Sequence, residues 1–204
     1  FAVLDRVART DTTVLLSGET GTGKELTAEA IHLASPRAIS PLVVFDCAAA
    51  KRDLLESHLC GHRTGAFTGA TADRAGAFRS AHNGSLFLDE IGELPLELQP
   101  RLLRVLERRE VQPLGSDRPA PVNVRIVAAT HRDLKAMVEA GTFRQDLFYR
   151  LTVFAVTLPP LRERLEDLPL LAARFLTAMG RSGAPLAADA LEALRCHSWP
   201  GNAR

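Results

Sequence analysis

At 204 residues, with 46% hydrophobic and 24% charged residues, the chain suits one large domain or a core with a small satellite. A net charge of +1 excludes the global basic field that nucleic-acid or membrane-surface binding calls for. No apolar run approaches the about eighteen residues of a membrane span, and no signal-peptide pattern opens the chain.

Phe1, Val3, Leu4 and Val7 recur at near-helical spacing and predict a short helix over residues 1–9. Val14, Leu15 and Leu16 read as a buried strand, and from Lys24 a helix runs to about Ala34, ending before Ser35-Pro36. Between them lies Gly18, Glu19, Thr20, Gly21, Thr22, Gly23, Lys24, Glu25, which matches G-x-x-x-x-G-K. Glycines let successive backbone N–H groups curl inward onto phosphate oxygens. The helix N-terminus adds its positive end, and Lys24 can reach the outer phosphates. This is a nucleotide site. Glu25 stands where Ser or Thr usually supplies a magnesium ligand, so the metal's ligands stay open, with Glu25 itself one candidate.

Leu42-Val43-Val44-Phe45-Asp46 is a second buried strand with an acidic end. Ser85 to Leu88 is a third, ending in Asp89-Glu90; Val124 to Ala129 a fourth, followed by Thr130-His131; Val153 to Val156 a fifth, stopped by Pro159-Pro160. Helical patterns separate them, notably Leu98 to Glu107 and Asp133 to Ala140. Continuous apolar strands alternating with helices predict an α/β fold whose parallel sheet is covered on both faces. After Pro160 the strand signals cease, and Leu168 to Met179 and Ala187 to Cys196 read as amphipathic helices joined by the loop Gly180–Pro185. We therefore divide the chain into an α/β nucleotide-binding core, residues 1–161, and a small helical subdomain, residues 162–204. The start at Phe1 without Met, and the end at Arg204 inside a motif, lead us to expect an excised piece of a longer chain.

Asp89-Glu90 follows an apolar strand at the end where open α/β sheets place their ligands. The first carboxylate can hold magnesium, and the second can orient or deprotonate the water that attacks a γ-phosphate. Thr130 and His131, at the end of the next strand, can sense that phosphate by hydrogen bonding, and Asp46 can touch Glu90. Arg144 and Arg150 lie six residues apart, a spacing that need not put them on one face and that alone reads as surface charge. Cys47, Cys60 and Cys196 are odd in number and far apart, which suits a reducing cytoplasm; His58-x-Cys60-x-His62 fits no zinc spacing. In Gly65, Ala66, Phe67, Thr68, Gly69, Ala70 an aromatic and a hydroxyl lie among small residues that cannot bury them locally, and glycine on both sides makes the loop mobile. Phe67 either tucks back into the core or is presented with Thr68 to a partner.

That GAFTGA stretch, with Gly18–Glu25, Leu86–Glu90, Phe143–Arg150, Leu158–Arg164 and Trp199-Pro200-Gly201-Asn202-Ala203-Arg204, resembles the bacterial enhancer-binding proteins, the AAA+ ATPases that activate sigma-54 RNA polymerase. The likeness runs over essentially the whole chain. It implies an AAA+ P-loop NTPase core with a five-stranded parallel sheet and a C-terminal helical lid, truncated here, assembling as a ring, commonly a hexamer, with ATP between subunits. Gly18–Lys24 would be the Walker A loop, and Glu25 is usual in this family. Asp89 would bind Mg2+ and Glu90 activate water; Thr130 and His131 would be the first sensor. Arg144 and Arg150 would be arginine fingers for the neighbouring subunit's nucleotide, and Arg204 the second sensor for its own. Gly65–Ala70 would contact sigma-54, chiefly through Phe67 and Thr68, with residues from about 112 to 120 as a supporting loop. DNA binding would belong to a domain absent from this fragment.

Three departures from the family's usual pattern stand out. Asp46 replaces an Asn that partners the catalytic glutamate, Arg79 replaces an acidic residue, and Pro113 replaces a frequent arginine. Cys60 also takes a place often held by Phe. The expected function is an ATP-hydrolysing cytoplasmic motor that remodels the sigma-54 closed complex. The rivals are an AAA+ remodeller of another client, or a nucleotide-binding scaffold with impaired hydrolysis.

Overall fold

A computed structural model describes residues 2–49, 52–181 and 187–204. In chain order the helices and strands are α1 (Ala2–Ala8), β1 (Val14–Ser17), α2 (Lys24–Leu33), β2 (Leu42–Asp46), α3 (Arg52–Cys60), α4 (Gly76–Ser80), β3 (Ser85–Asp89), α5 (Gln99–Arg108), β4 (Glu110–Val111), β5 (Ala120–Pro121), β6 (Arg125–Thr130), α6 (Leu134–Glu139), α7 (Gln145–Leu151), β7 (Phe154–Thr157), α8 (Leu168–Ala178) and α9 (Ala188–Arg195). The chain divides into two compact units: residues 1–17 with 25–156, and residues 18–24 with 157–204.

In the first unit the strands lie in the order β2-β3-β6-β1-β7, with β2–β3, β3–β6 and β6–β1 parallel. Alternation along each strand explains the two covered faces. Leu15, Leu86, Leu88, Ile126 and Ala128 join one apolar cluster with Leu55, Leu59, Phe78, Leu102 and Leu147 from the helices. Val14, Leu16, Phe87, Val127 and Ala129 join the other, with Val7, Ala28 and Ile31. All six residues of β6 are buried, as the centre of such a sheet demands. Its first residue, Arg125, sits in this interior because its guanidinium donates to the carbonyls of Ala8 (2.6 Å) and Val7 (2.9 Å) at the C-terminal end of α1.

The five predicted strands are all present: the second has the expected bounds, the first and third run one residue further, and the fourth and fifth are shifted by one residue at both ends. The fourth runs Arg125–Thr130 because Ser17 of β1 pairs with Thr130 and extends the ladder, and the fifth begins at Phe154. Leu98 and Asp133, predicted as first helical residues, are N-caps. Asp133 accepts the backbone N–H groups of Lys135 (2.9 Å) and Ala136 (3.1 Å). Three short helices, α3, α4 and α7, and the antiparallel β4–β5 hairpin were not anticipated. In the second unit α8 and α9 fall on the predicted segments, with Met179 and Cys196 as C-caps. The expected joining loop falls mostly on residues 182–186, outside those described, as does Phe1 of the first predicted helix.

Candidate nucleotide-binding site

The phosphate loop belongs to the second unit. Lys24, 7% exposed, folds its ammonium onto the loop's own carbonyls, those of Gly18 (2.9 Å) and Glu19 (3.2 Å). Gly21 has φ +83°, and a Cβ there would stand 2.3 Å from the Gly201 carbonyl oxygen, so only glycine fits. The loop is held from the Trp199–Arg204 segment. Asn202 Nδ2 donates to the Thr20 carbonyl (2.9 Å) and to Glu19 (3.2 Å), and Ala203 N donates to the Gly21 carbonyl (3.1 Å). Glu19 is also gripped by both terminal nitrogens of Arg162 (2.9 and 2.6 Å), which with Asn202 pull its carboxyl down to about 2. Arg164 donates to the Thr22 carbonyl (2.7 Å). The cradle fits a polyphosphate: glycines at positive φ, a buried lysine, and a helix starting at Lys24.

The acidic residues gather in the first unit. Asp46 pairs with Asp89 in the β2–β3 register, and Ser17 pairs with Thr130, so β1, β2, β3 and β6 finish at one carboxyl edge. Asp89 accepts the N–H of Glu90 at 3.0 Å. Glu90 has φ +50° and ψ +52°, an uncommon conformation for a residue other than glycine, and one that accumulates at functional sites. Its Oε2 meets His131 twice, at the ring Nδ1 (2.7 Å) and the backbone N–H (3.3 Å). Asp46 Oδ1 accepts the N–H groups of Ala48 (2.7 Å) and Ala49 (3.2 Å), capping its own turn. Thr130 is buried and its hydroxyl accepts the N–H of Arg132 (3.0 Å).

Arg144 caps the start of α7 and Arg150 lies in its last turn, and each holds a carboxylate. Arg144, the helix's N-cap, grips Asp146 through Nε (3.0 Å) and Nη2 (2.6 Å), and Arg150 Nε lies 3.4 Å from Glu107. Both are exposed.

The loop at 65–70 closes on itself: Gly65 N donates to Ala70 O (2.9 Å) and Ala70 N to Phe67 O (3.0 Å). Phe67 is half-buried, its ring edge-on to His62 with centroids 5.0 Å apart, and lies outside the main core clusters; Thr68 is exposed. The 112–120 stretch is the tip of the β4–β5 hairpin. A Cβ on Gly115 would meet the Ala66 Cβ at 2.8 Å, and Arg63 N donates to Leu114 O (2.9 Å), so hairpin and loop share one base. Arg79, Pro113, Arg63 and Arg118 line one cleft of about 440 Å³ beside that base. Cys60 is buried in the core, its thiol pushed up to about 12 by desolvation, while His62 Nδ1 pairs with Ser57 Oγ (2.7 Å).

Sequence reasoning missed Asn202, Arg162 and Gln99. Each is polar and grips backbone or a carboxylate from far along the chain, a role with no local periodic signature. Asn202 lay inside the quoted motif, where only Arg204 was assigned a task.

A parallel α/β sheet with a phosphate loop after β1 and an acidic pair at the end of β3 defines a P-loop NTPase fold of the AAA+ class. The profile of the Sigma-54 interaction domain family matches residues 1–157, that of the AAA+ ATPase lid domain matches residues 162–204, and the chain belongs to the sigma-54 interaction family. It is 57% identical to the DNA-binding transcriptional activator HyfR of Escherichia coli (strain K12), over 98% of this chain and 31% of that protein. It is 50% identical to the transcriptional regulatory protein GlrR of the same organism, over 97% of this chain and 46% of that protein. The crystal structure of NtrX from Brucella abortus in complex with ATP superposes with a TM-score of 0.88 at 36% identity, covering 99% of this chain and 46% of NtrX. The chain thus spans less than half the length of these relatives.

Proposed function

We propose that the chain is the ATP-hydrolysing motor of a sigma-54-dependent transcriptional activator, remodelling the sigma-54 RNA polymerase closed complex as a ring, commonly a hexamer, in the cytoplasm. The observation that carries it is the 65–70 loop, closed on its own hydrogen bonds with Thr68 exposed, in the same unit as the Asp89-Glu90 edge. Family membership supports the partner, and the bound nucleotide of NtrX supports ATP as ligand. No helix among the described residues is long and apolar enough to cross a membrane. Residues 1–161 are the core and 162–204 the helical lid in this reading, and DNA contact is assigned to none of these residues.

The chain's residues divide the work. Gly18, Glu19, Thr20, Gly21, Thr22 and Gly23 present backbone N–H groups to the phosphates, and Lys24 leaves its carbonyl partners for the outer ones. Asp89, with Glu25 as a further candidate, would hold Mg2+, whose charge offsets that of the phosphates; carboxylate oxygens suit so hard a cation. Glu90 positions a water and takes its proton, with Asp46 and His131 beside it on the strand ends. Thr130 and Arg204 read the nucleotide from their own subunit, and Arg144 and Arg150 reach it from a neighbour. Gly65, Ala66, Phe67, Thr68, Gly69 and Ala70 meet sigma-54.

Steady-state ATP hydrolysis measured against protein concentration tests this. Specific activity that rises with concentration supports a ring ATPase, whereas tight ATP binding with no turnover at any concentration favours a scaffold. Native mass spectrometry with sigma-54 and an ATP transition-state mimic then tests the client: a ring that ignores sigma-54 moves the function to another remodelling target.

A further inference from the structure

Asn202 is 2% exposed, and its carboxamide is filled on both ends. Oδ1 accepts the N–H of Leu161 at 2.7 Å, while Nδ2 donates to the Thr20 carbonyl at 2.9 Å and to Glu19 Oε2 at 3.2 Å. A buried amide so used fixes three chain segments at once. Its backbone sits at φ +53°, a conformation Asn and Asp adopt more readily than most residues. The next residue continues the attachment, Ala203 N donating to Gly21 O at 3.1 Å, and Arg204 Cβ comes within 3.2 Å of the point a Cβ on Gly21 would occupy. On the far side of Glu19, Arg162 closes the arrangement with two charge-assisted bonds. Residues 202–204 therefore lie along the phosphate-loop backbone, and any shift of that backbone moves them with it.

We propose that Asn202 and Glu19 form a latch that sets Arg204 in register with the phosphate loop, making Asn202 a positioning residue for nucleotide binding. The proposal rests on the nucleotide-binding reading above. It explains why the loop carries an acid, Glu19, amid groups meant for anions. That carboxylate is neutralised by Arg162 and serves as an anchor. Filling of the loop by a nucleotide is then transmitted to the Leu161 and Arg204 segments through bonds to Thr20 and Gly21.

The test uses Asn202→Asp, which keeps the shape and the backbone preference but turns the donor into a charge facing Glu19 and the Thr20 carbonyl. Two readouts are followed on the same proteins: amide exchange of Ala203 without nucleotide, and Kd for a fluorescent ATP analogue. In Asn202→Asp, Ala203 exchange accelerates and the Kd rises at least about tenfold, the consequence of replacing a buried donor by a like charge. Adding Glu19→Gln removes the repulsion and supplies a donor, so both readouts recover by about tenfold, the coupling expected of contacting groups. Unchanged Ala203 exchange in Asn202→Asp, or losses that simply add in the double variant, overturns the latch. If the unaltered chain binds no ATP analogue, the nucleotide reading fails, and the exchange arm still decides whether the latch exists.

Discussion

The side chain of Gln99, at the start of α5, accepts the backbone N–H of Arg144 at 2.8 Å, forty-five residues further along the chain. Its amide nitrogen donates to the carbonyls of Leu94 (3.0 Å) and Thr142 (3.3 Å), and the residue is 0% exposed. One buried amide thus fixes the backbone from which Arg144 projects. Arg144 in turn is aimed by Asp146, whose carboxylate raises the guanidinium's pKa and is itself lowered by it.

If Arg144 acts on a neighbour's nucleotide, Arg144→Ala leaves ATP affinity near that of the unaltered chain while hydrolysis falls by roughly 10³ or more, the worth of an arginine supplied in trans. Gln99→Met keeps the volume but strands the Arg144 N–H and two carbonyls, each costing about 1–3 kcal/mol. It should lower both the unfolding free energy and turnover. Equilibrium unfolding and steady-state kinetics on the pair separate the two effects. Near-normal turnover in Arg144→Ala would remove that residue from the chemistry.

The Glu90–His131 pair predicts a different split. Glu90→Gln keeps a hydrogen-bonding side chain in the same strained turn but cannot take a proton, so hydrolysis drops by about 10²–10⁴ while the nucleotide stays bound. His131→Ala leaves the carboxylate present but frees it from the 2.7 Å ring contact, and a smaller loss confined to kcat is expected. Quench-flow turnover beside equilibrium ATP binding distinguishes these outcomes. Weakened binding with unchanged kcat in His131→Ala would place His131 on the nucleotide and not on Glu90.

How much of this was legible in sequence follows from what each feature depends on. The five strands were readable because continuous runs such as Val127-Ala128-Ala129 must be buried on both faces, and the strand-end carboxylates followed from them. The short helices α3, α4 and α7 were not, since five to nine residues give too few turns for a period to stand out. Asp46 was legible as a strand-end carboxylate, but the cap its Oδ1 makes on the turn at Ala48 and Ala49 was not, being a local bond any Asx residue can make. Asn202 and Gln99 depend on contacts 41 and 45 residues away, which no pattern within a window can reveal.

Histidine burial sets an acid limit on the fold. His32 on α2 donates from Nε2 to the Ser40 carbonyl (3.1 Å) and pairs at Nδ1 with Ser85 Oγ (2.9 Å). Desolvation, aided by the charge of Arg125, lowers its pKa below the ordinary 6.5. The unfolded chain therefore takes up a proton before the folded one does. The stabilisation is fully present above pH 6.5 and is lost as pH falls through the folded value. Urea unfolding at pH 7.5 and pH 5.5 should show a lower midpoint at the acid pH. His32→Gln should flatten that dependence by up to about 1.4 kcal/mol per pH unit, the effect of one proton. His58, lowered chiefly by desolvation too, leaves a residual slope in the variant. Equal slopes in both proteins would show that His32 titrates normally.

The 65–70 loop gives the prediction on which the partner depends. Thr68 is exposed, and Phe67 is only half-buried against His62. Neither side chain belongs to the main core, so removing either should cost the fold little, within about 0.5 kcal/mol for Thr68→Ala at an exposed site. ATP hydrolysis should also persist, because the loop's hydrogen bonds run to itself and to the hairpin base. Capture of sigma-54 in the presence of a transition-state mimic should fail in both Thr68→Ala and Phe67→Ala, since a contact made by an aromatic and a hydroxyl together leaves no substitute. His62→Ala provides the control on presentation. It removes the ring against which Phe67 leans and should alter the nucleotide dependence of capture more than its strength. Complexes measured by native mass spectrometry at matched protein and sigma-54 concentrations decide it. Full capture by Thr68→Ala with intact hydrolysis would assign the loop to another client.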